Sequence, residues 1–364
     1  MIPESDTRIK STRAAGDTAI TFVVALSMII VACPIELRPA SALSIENAAL
    51  VDSVDGDRML STVTDLEGFG SRAYLHDSMW NASIYIHDRF VDLGLSVSYQ
   101  DFQVAGLSQR NVIAVMEGTD PDAPQYLFGA HYDSMTLAVL GLEEGNATSA
   151  PGADDDASGV AATIELATVL HEKTFNNTIK FVAFGAEETG LNGSTVFVQE
   201  ERSKGVLYAD TAIMDMIGYR ASEENKAYIF RDTGNNRMAE SVDGAIGEYG
   251  LNLSLTLVSG TELALSDHFP FWMAGYPSIL VIEDVSGGWP VNPNYHTEND
   301  TVEHISKEQM TAVTQALLGG FLDLQNPSGG SRDSVIMFVA LIVVLAAVVT
   351  AIAVYMIQRR RADE

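Results

Sequence analysis

Short apolar runs alternate with amphipathic stretches along the middle of the chain. Nearly continuous apolar runs are typical of strands that are buried on both faces of a sheet. Such runs predict strands at Leu95 to Val104, Asn111 to Glu117, Tyr126 to Ala130, Thr178 to Phe184, Thr211 to Met214, Ala227 to Phe230 and Ser278 to Ile282. Apolar positions at helical spacing predict helices at Ile45 to Leu66, Ser78 to Leu93, Ser158 to Glu172, Asn236 to Glu248 and Lys307 to Leu324.

This alternation of strands and helices indicates the fold class. Strands buried on both faces need helices on both sides of the sheet. The sequence therefore predicts an α/β fold, a three-layer sandwich built on a mostly parallel mixed sheet. The last predicted helix has a well-marked start, because Ser306 and Gln309 form a capping box and Ile305 and Met310 are spaced as a hydrophobic staple.

The two ends of the chain carry membrane signals. Basic residues precede the apolar run from Ala19 to Cys33, which has the length of a signal-peptide core. Residues 1–42 are therefore predicted to be a signal peptide, cut near Ala40 to Ala42 or lipidated at Cys33, or else an uncut signal anchor. Near the other end, the uncharged run from Val335 to Ile357 is long enough to cross a bilayer.

These signals divide the chain into segments. The folded domain is predicted at 43–326, a flexible linker at 327–334, a transmembrane helix at 335–357 and a basic tail at 358–364. Because the tail carries three consecutive arginines, the positive-inside bias places it in the cytoplasm. The predicted location is the cell membrane, with lipid as one partner and the folded domain on the extracellular side.

Composition narrows the chemistry of the domain. The formal net charge of the 364-residue chain is -28, so nucleic acid is excluded as a partner. Cys33 is the only cysteine, which excludes an intrachain disulfide and any site built from several thiolates. A metal ion in this protein would need nitrogen and oxygen ligands. Composition does not determine the oligomeric state.

A set of imidazoles and carboxylates follows the predicted strands. Three strands end at His131, at the Glu187–Glu188 pair and at Asp215, which places these side chains at the carboxyl edge of the sheet. The remaining members of the set are Asp133, Asp155 and His296. Singly, a His-x-Asp pair, an aspartate run or a Glu pair more often belongs to a surface or a helix start. Together they predict a site for two zinc ions.

The residues of this set suggest separate roles. A site for two metal ions needs a bridging carboxylate, and Asp155 is the candidate. His131 and Asp215 would complete one ion, while Glu188 and His296 would complete the other. Adjacent residues leaving a strand point in different directions, so Glu187 is free to take a proton from the attacking water. Asp133 is placed to accept the second imidazole N–H of His131 and fix its tautomer.

The motifs that contain these residues resemble a known family. GAHYDS, PGADDDASGVAA, FGAEETGLNGS, SDHFPFW and NYHTENDT are similar, in order and spacing, to motifs of the co-catalytic dizinc aminopeptidases of peptidase clan MH. Secreted bacterial leucyl aminopeptidases belong to this group, and the wider family includes glutamate carboxypeptidase-like enzymes, glutaminyl cyclases and transferrin-receptor ectodomains. The resemblance spans roughly Asn111 to Leu324. It implies Asp155 as the bridge, Glu187 as the base, and Glu188, Asp215 and His296 as ligands.

The resemblance is incomplete before the SDH motif. Some secreted relatives carry a disulfide and a catalytic tyrosine in that loop, whereas this chain has SGTELAL, without Cys or Tyr. The specificity carried by that loop therefore does not transfer to this chain. In other relatives, a tyrosine directly before the last ligand helps to hold the tetrahedral intermediate, and Tyr295 matches it. The alternative for Tyr295 is packing against the edge of the sheet.

Three functions fit the sequence. The first is a zinc-dependent aminopeptidase that removes N-terminal residues from peptides outside the cell. The second is a carboxypeptidase or dipeptidase, which would need cations for the substrate carboxylate, with Arg220, Lys226 and Arg231 nearest in sequence to Asp215. The third is a non-catalytic, receptor-like ectodomain. Because all five candidate ligands and the base are present, the sequence favours catalysis over a receptor, and the scarcity of candidate cations favours the aminopeptidase over the carboxypeptidase.

Overall fold

The computed structural model describes residues 40–136, 149–232, 234, 237–260, 265–288, 290–325 and 359. The predicted signal core, the linker, the predicted transmembrane helix and most of the loop before the SDH motif lie outside these residues. Among the described helices, none is long and apolar enough to cross a membrane. The chain divides into two units, Met1–Leu43 and Ser44–Glu364, and all candidate site residues belong to the second.

Eight strands form one mixed sheet in the described part of the chain. The strands are β1 (Ser96–Val104), β2 (Leu107–Met116), β3 (Gln125–His131), β4 (Ile179–Phe184), β5 (Tyr208–Met214), β6 (Lys226–Arg231), β7 (Ser254–Ser259) and β8 (Ser278–Glu283). Their order across the sheet is β1-β2-β4-β3-β5-β8-β6-β7. The central strands β4, β3, β5 and β8 run parallel, as do β6 and β7, while the other three pairings are antiparallel. The predicted α/β class and mostly parallel mixed sheet are confirmed.

Eight α-helices accompany this sheet in the described residues. They are α1 (Ala40–Asp52), α2 (Gly56–Glu67), α3 (Ser78–Asp92), α4 (Gly159–Leu170), α5 (Asn192–Ser203), α6 (Arg237–Glu248), α7 (His268–Ala274) and α8 (Lys307–Gln325). The single helix predicted from Ile45 to Leu66 is wrong, because α2 makes a new start where the carboxylate of Asp55 accepts the backbone N–H groups of Asp57 and Arg58. The sequence pattern also missed β7, α5 and α7.

Both faces of the sheet are buried, but by different helices. Along β4, Phe181 joins one apolar core with residues of α2, α3, α4, α6 and α8. Its neighbours Val182 and Phe184 point the other way and join a second core, which includes Phe197 of α5 and Phe271 of α7. Burial of each such aromatic side chain stabilises the fold by about 1.5–3 kcal/mol. Helices α5 and α7 therefore share one face of the sheet.

The start of α8 has the predicted helix cap, and one residue of the cap motif also binds a distant strand. The backbone N–H of Gln309 donates to Oγ of Ser306 at 3.2 Å, which is the predicted cap. The Gln309 side chain does not complete the capping box. It accepts the backbone N–H of Lys226 at 2.9 Å and donates to the carbonyl of the same residue at 2.6 Å. These bonds fix α8 to the start of β6.

Candidate metal centre

Three neighbouring strands bring the candidate side chains to one edge of the sheet. His131 is the last residue of β3, Asp215 directly follows β5, and Glu187 and Glu188 follow β4 after a short turn. Because β4, β3 and β5 are adjacent and parallel, their carboxyl ends lie side by side. This edge is where α/β proteins commonly bind ligands.

Asp155 lies between two imidazoles. Its Oδ1 is 3.1 Å from Nε2 of His131, and its Oδ2 is 3.1 Å from Nε2 of His296. Nε2 of His131 is also 3.7 Å from Oδ1 of Asp215, and Nε2 of His296 is 3.1 Å from Oε2 of Glu188. The donors thus form two adjoining sets that share one carboxylate. His131 and Asp215 are called the strand-borne half below, and Glu188 and His296 the loop-borne half.

The donor set fits zinc. Nitrogen and oxygen ligands lie about 2.0–2.1 Å from a zinc ion, so two ligands of one tetrahedral ion are roughly 3.3 Å apart. The separations of 3.1–3.7 Å within each half agree with that spacing. The two halves adjoin so closely that His131, Asp155 and Glu188, which belong to different halves, also converge within the reach of one metal ion. The second oxygen of Glu188, Oε1, is buried and has no hydrogen-bond partner among the described residues.

The neighbouring aspartate is excluded as the bridge by its hydrogen bonds. Asp156 also lies within reach of His131 and Asp215. However, its Oδ1 accepts the backbone N–H groups of Gly159 and Met216, at 2.9 and 3.1 Å, and its Oδ2 accepts the N–H of His131 at 3.3 Å. Those bonds tie the start of α4 and the end of β3 to the segment that follows β5. Asp155, whose two oxygens face the imidazoles, is the better candidate for a metal bridge.

Several carboxylates are buried close together at this site, and this raises the pKa of several of its side chains. Burial raises the pKa of Glu187 well above its usual value, and the charge of Glu188 adds to the shift. Burial likewise raises the pKa of Glu188 to about 7, with the charge of Asp155 contributing. Burial opposes the charged form of His296, but hydrogen bonds to Asp155 and Glu188 outweigh it and raise its pKa to about 10. Concentrated negative charge of this kind needs protons or cations to balance it.

Asp133 supports the centre from behind. Its carboxylate accepts the backbone N–H groups of Glu187 at 3.0 Å and Glu188 at 3.2 Å, which fixes the turn that presents both side chains. Nδ1 of His131 is 3.1 Å from the backbone carbonyl of Asp133 but 3.7 Å from its carboxylate. The imidazole N–H was predicted to bind the carboxylate, whereas the nearer acceptor is the backbone carbonyl of the same residue.

Arg72 is a supporting residue that the sequence analysis missed. It is fully buried, and its guanidinium donates to backbone carbonyls of Tyr132 at 2.8 Å, Pro151 at 2.5 Å and Gly152 at 2.7 Å, as well as to Leu66 at 3.2 Å. Two of those carbonyls lie just before the aspartate run, and another follows His131. Arg72 therefore joins the segments that carry His131 and Asp155. No motif marks it, because its partners are main-chain atoms.

Asp300, on the loop before α8, is a second supporting residue that was not predicted from the sequence. The carboxylate of Asp300 accepts the backbone N–H of Asp154 at 2.9 Å and that of Asp155 at 3.0 Å. Burial raises the pKa of Asp300 to about 8, with the Asp154 charge contributing. Asp300 follows His296 by four residues, so it links the loop that carries one candidate ligand to the segment that carries the bridge.

Strained backbone is concentrated around the same residues. Five non-glycine residues in the described chain have a left-handed φ, and one of them, Ala105, lies in the β1–β2 turn. The other four are Ala186, Leu191, Met216 and His296. Ala186 precedes Glu187, Met216 follows Asp215, and His296 is itself a candidate ligand. Such conformations cost about 1–3 kcal/mol each and cluster at functional sites.

An open cavity of about 420 Å³ gives access to the centre. Seven of the eight residues proposed from the sequence line it, and Asp133 lies behind them. Its lining residues are His131, Met135, Asp155, Glu187, Glu188, Gly190, Leu191, Asp215, Leu265, Phe269, Tyr295 and His296. The ring of Tyr295 stacks on that of His296, with centroids 3.7 Å apart and planes inclined by 21°. Among the described lining residues there is no Lys or Arg.

Fold and site together define a protein of the α/β metallohydrolase type, and comparison with known proteins identifies its family. The model of peptidase family M28 matches residues 111–320, more than half of the chain. The chain belongs to peptidase family M28.

Similar individual proteins are consistent with this family assignment. Aminopeptidase YwaD of Bacillus subtilis is 32% identical over 206 residues, covering 56% of this chain and 42% of its own length. The structure of BSAP, a zinc aminopeptidase from Bacillus subtilis, matches with a TM-score of 0.64 and 19% identity, covering 75% of this chain and 96% of that one. Fimbriiglobus ruber glutaminyl cyclase matches with a TM-score of 0.61 and 23% identity over 74% and 95%. This chain therefore aligns with less than half of the length of YwaD. The structures of BSAP and of the glutaminyl cyclase share the fold of this chain.

Proposed function

We propose that this chain is a zinc-dependent aminopeptidase that uses two zinc ions. The observation that carries the proposal is the position of Asp155, with each of its oxygens 3.1 Å from a different imidazole. His131 and Asp215 would hold one ion, Glu188 and His296 the other, and Asp155 would bridge them. When bound, the two ions would polarise the scissile carbonyl and lower the pKa of the attacking water.

Glu187 is the proposed general base. It lines the cavity beside the donor set, and its backbone N–H is fixed by Asp133. A raised pKa suits a carboxylate that must accept a proton from water and then deliver it to the departing amine. The cations of a loaded site would lower that pKa again and keep Glu187 ionised before the reaction.

The charge of the cavity supports an aminopeptidase rather than a carboxypeptidase. Four carboxylates line it, and its described lining contains no Lys or Arg. The cations that a carboxypeptidase would need are engaged elsewhere: Arg220 reaches Asn225, Lys226 pairs with Glu224, and Arg231 pairs with Glu240. An acidic cavity favours a protonated α-amine over a carboxylate.

The apolar part of the cavity supports an apolar N-terminal residue. Met135, Leu191, Leu265 and Phe269 line it together with the donor set. A pocket of apolar walls around a few polar groups selects ligands mainly by the area that they bury. We therefore propose Leu, Met and Phe as preferred N-terminal residues. Charged first residues would be cleaved least well.

The test combines metal content with a substrate panel. Full-length protein, extracted in mild detergent and reconstituted with zinc, should hold two ions per chain. It should cleave Leu-p-nitroanilide and a C-terminally amidated peptide, but leave the N-acetylated peptide intact. Cleavage of the N-acetylated peptide alone would establish a carboxypeptidase, loss of ammonia from an N-terminal Gln peptide would establish a cyclase, and binding without turnover would establish a receptor.

One substitution tests the base within the same assay. Glu187→Gln should keep both zinc ions and lower kcat by about 10²- to 10⁴-fold, because an amide preserves size but cannot accept the proton. Glu172→Gln, at an exposed residue just beyond α4, is the matched control and should behave as the unaltered chain. If Glu187→Gln retained most of its activity, the base would have been wrongly assigned.

For location, we propose that the domain is anchored on the outer face of the cell membrane. The proposal rests on the uncharged run from Val335 to Ile357 and the arginines after it. Protease added to intact cells should remove the domain and leave a small protected fragment that carries Arg359 to Arg361. Protection of the whole domain, or its release without the tail, would refute this topology.

A further inference from the structure

The cavity at the candidate metal centre opens into further depressions along α5 and α7. A depression of about 460 Å³ shares Gly190, Leu191 and Phe269 with that cavity. A third, of about 330 Å³, shares Arg202 and Ala274 with the second. Because each section shares lining residues with the next, the three sections lie in series along the surface. The second and third sections are called the α5–α7 groove below.

Two helices form the walls of the groove. From α5, the lining residues are Thr195, Val198, Gln199 and Arg202, a spacing that places all four on one face of the helix. The opposite wall is α7, with Phe269, Pro270, Met273 and Ala274. Nη1 of Arg202 donates to the carbonyl of Ala274 at 2.9 Å, which fixes the separation of the walls where the second section meets the third.

Exposed apolar side chains mark each section in turn. Leu265 lines the cavity and is 65% exposed, Met273 lines the second section and is 70% exposed, and Leu207 lines the third and is 65% exposed. Of the large apolar side chains in the described chain, only Ile45 is as exposed as these three. Single exposed apolar residues are ordinary, but one in each of three successive depressions beside the candidate metal centre is typical of a binding surface.

The length of the groove fits an extended peptide. From Leu191 to Arg202, along the second section alone, the wall rises roughly 16 Å, at about 1.5 Å per helical residue, and Leu207 of the third section lies beyond it. An extended chain advances about 3.3 Å per residue, so the groove is long enough for about five residues. Its near end is the cavity in which an N-terminal residue would be cleaved. A peptide held there by its first residue would continue along these walls.

We propose that the α5–α7 groove binds the residues that follow the scissile bond, in extended form and with a preference for apolar side chains. This inference rests on the proposed aminopeptidase function. It assigns the substrate class as apolar oligopeptides of about five or six residues rather than dipeptides. Met273 and Leu207 are the specificity-determining side chains of the groove.

The first test compares substrates of increasing length. For the zinc-loaded full chain, kcat/KM for Leu-led apolar peptides should rise from two residues to about six and then level off. Met273→Asp and Leu207→Asp should each lower kcat/KM for the hexapeptide about tenfold through KM, since loss of an apolar subsite costs a factor of this order. Leu-p-nitroanilide, which reaches only the cavity, should be cleaved within twofold of the unaltered rate.

The matched control is Ile84→Asp, which places the same charge at another exposed apolar residue, on α3. It should leave both substrates unaffected. If Met273→Asp slowed Leu-p-nitroanilide as much as the hexapeptide, the groove would belong to the pocket for the first residue. If peptide length had no effect on kcat/KM, the groove would not bind substrate at all.

A binding measurement separates this inference from the proposed function. A fluorescent hexapeptide should bind the zinc-loaded Glu187→Gln chain about tenfold more tightly than the same chain with Met273→Asp added. Absence of hydrolysis by the unaltered chain would refute the aminopeptidase, but the affinity difference would still support the groove. Equal affinities would refute the groove whether or not hydrolysis occurs.

Discussion

The two halves of the candidate metal centre are built differently. In the strand-borne half, His131 ends β3 and Asp215 directly follows β5, and the His131 side chain is only 2% exposed. In the loop-borne half, Glu188 lies on a turn and His296 lies on the loop before α8, with a left-handed φ of 55°. The His296 side chain is 11% exposed, whereas the carboxylates of the two halves are buried alike, Asp215 at 10% and Glu188 at 7%.

The fold gives more rigidity to the strand-borne half than to the loop-borne half. The strand-borne donors are held by the hydrogen-bonded centre of the sheet, so their geometry is largely set before a ligand arrives. The loop-borne donors depend on local supports, namely the Asp133 carboxylate under the turn and the stack of Tyr295 on His296. Asp155 belongs to both halves, and its loss should therefore be the most damaging change at the centre.

The largest effect is expected from Asp155→Ala. Because both imidazoles face this one carboxylate, the substitution should reduce zinc binding in both halves and lower kcat/KM by at least about 10³-fold, as expected when the electrostatic stabilisation of a site is lost. Zinc content after gel filtration and Leu-p-nitroanilide hydrolysis measure the two losses. Asp122→Asn, at an exposed residue before β3, is the control. Two retained zinc ions would contradict the bridging role.

Next in size is the effect of Arg72→Met on stability. The substitution leaves the buried carbonyls of Tyr132 and Pro151 without a donor, at about 1–3 kcal/mol for each group that water cannot reach, while the Gly152 carbonyl still accepts the N–H of Ala157. A loss of roughly 3 kcal/mol in the free energy of unfolding is expected, read from urea denaturation. The exposed Arg89→Met on α3 should change it little. An effect as small as that of Arg89→Met would show that the carbonyls find other partners.

The sequence predicts the strand-borne donors of the metal centre but not all of the residues that support it. The strand ends were predictable, because apolar runs mark the strands and adjacent parallel strands must place His131 and Asp215 at one edge. Arg72 and Asp300 were not, since their partners are main-chain groups that any residue supplies. Helix α5 was missed because its run NGSTVFVQEERS contains few apolar residues, and β7 because SLTLVS alternates apolar with polar residues and is not one of the nearly continuous apolar runs used to predict strands.

The two halves should also differ in their affinity for zinc, which is a smaller effect. Titration of the zinc-loaded chain with a chelator should release the ions in two steps, about tenfold apart in affinity, because the loop-borne donors must be ordered when the ion binds. His296→Gln should abolish the weaker step and His131→Gln the tighter one. Enzyme assays at each step would show whether one ion supports hydrolysis. A single step in the unaltered chain would show that both halves are equally preorganised.

The smallest effect is expected from Tyr295→Phe, which keeps the ring stacked on His296 and removes only the hydroxyl. Burial, reinforced by the Asp155 charge, raises the pKa of Tyr295 far above its ordinary value, so the hydroxyl stays protonated and able to donate a hydrogen bond. If it stabilises the transition state, kcat should fall about tenfold with KM unchanged, less than the ~10²–10³ typical of a dominant oxyanion donor. Tyr295→Leu, which also removes the stack, should weaken the loop-borne zinc step, whereas Tyr295→Phe should not. An unchanged kcat for Tyr295→Phe would show that the ring only packs and that the loop-borne half contributes ligands alone.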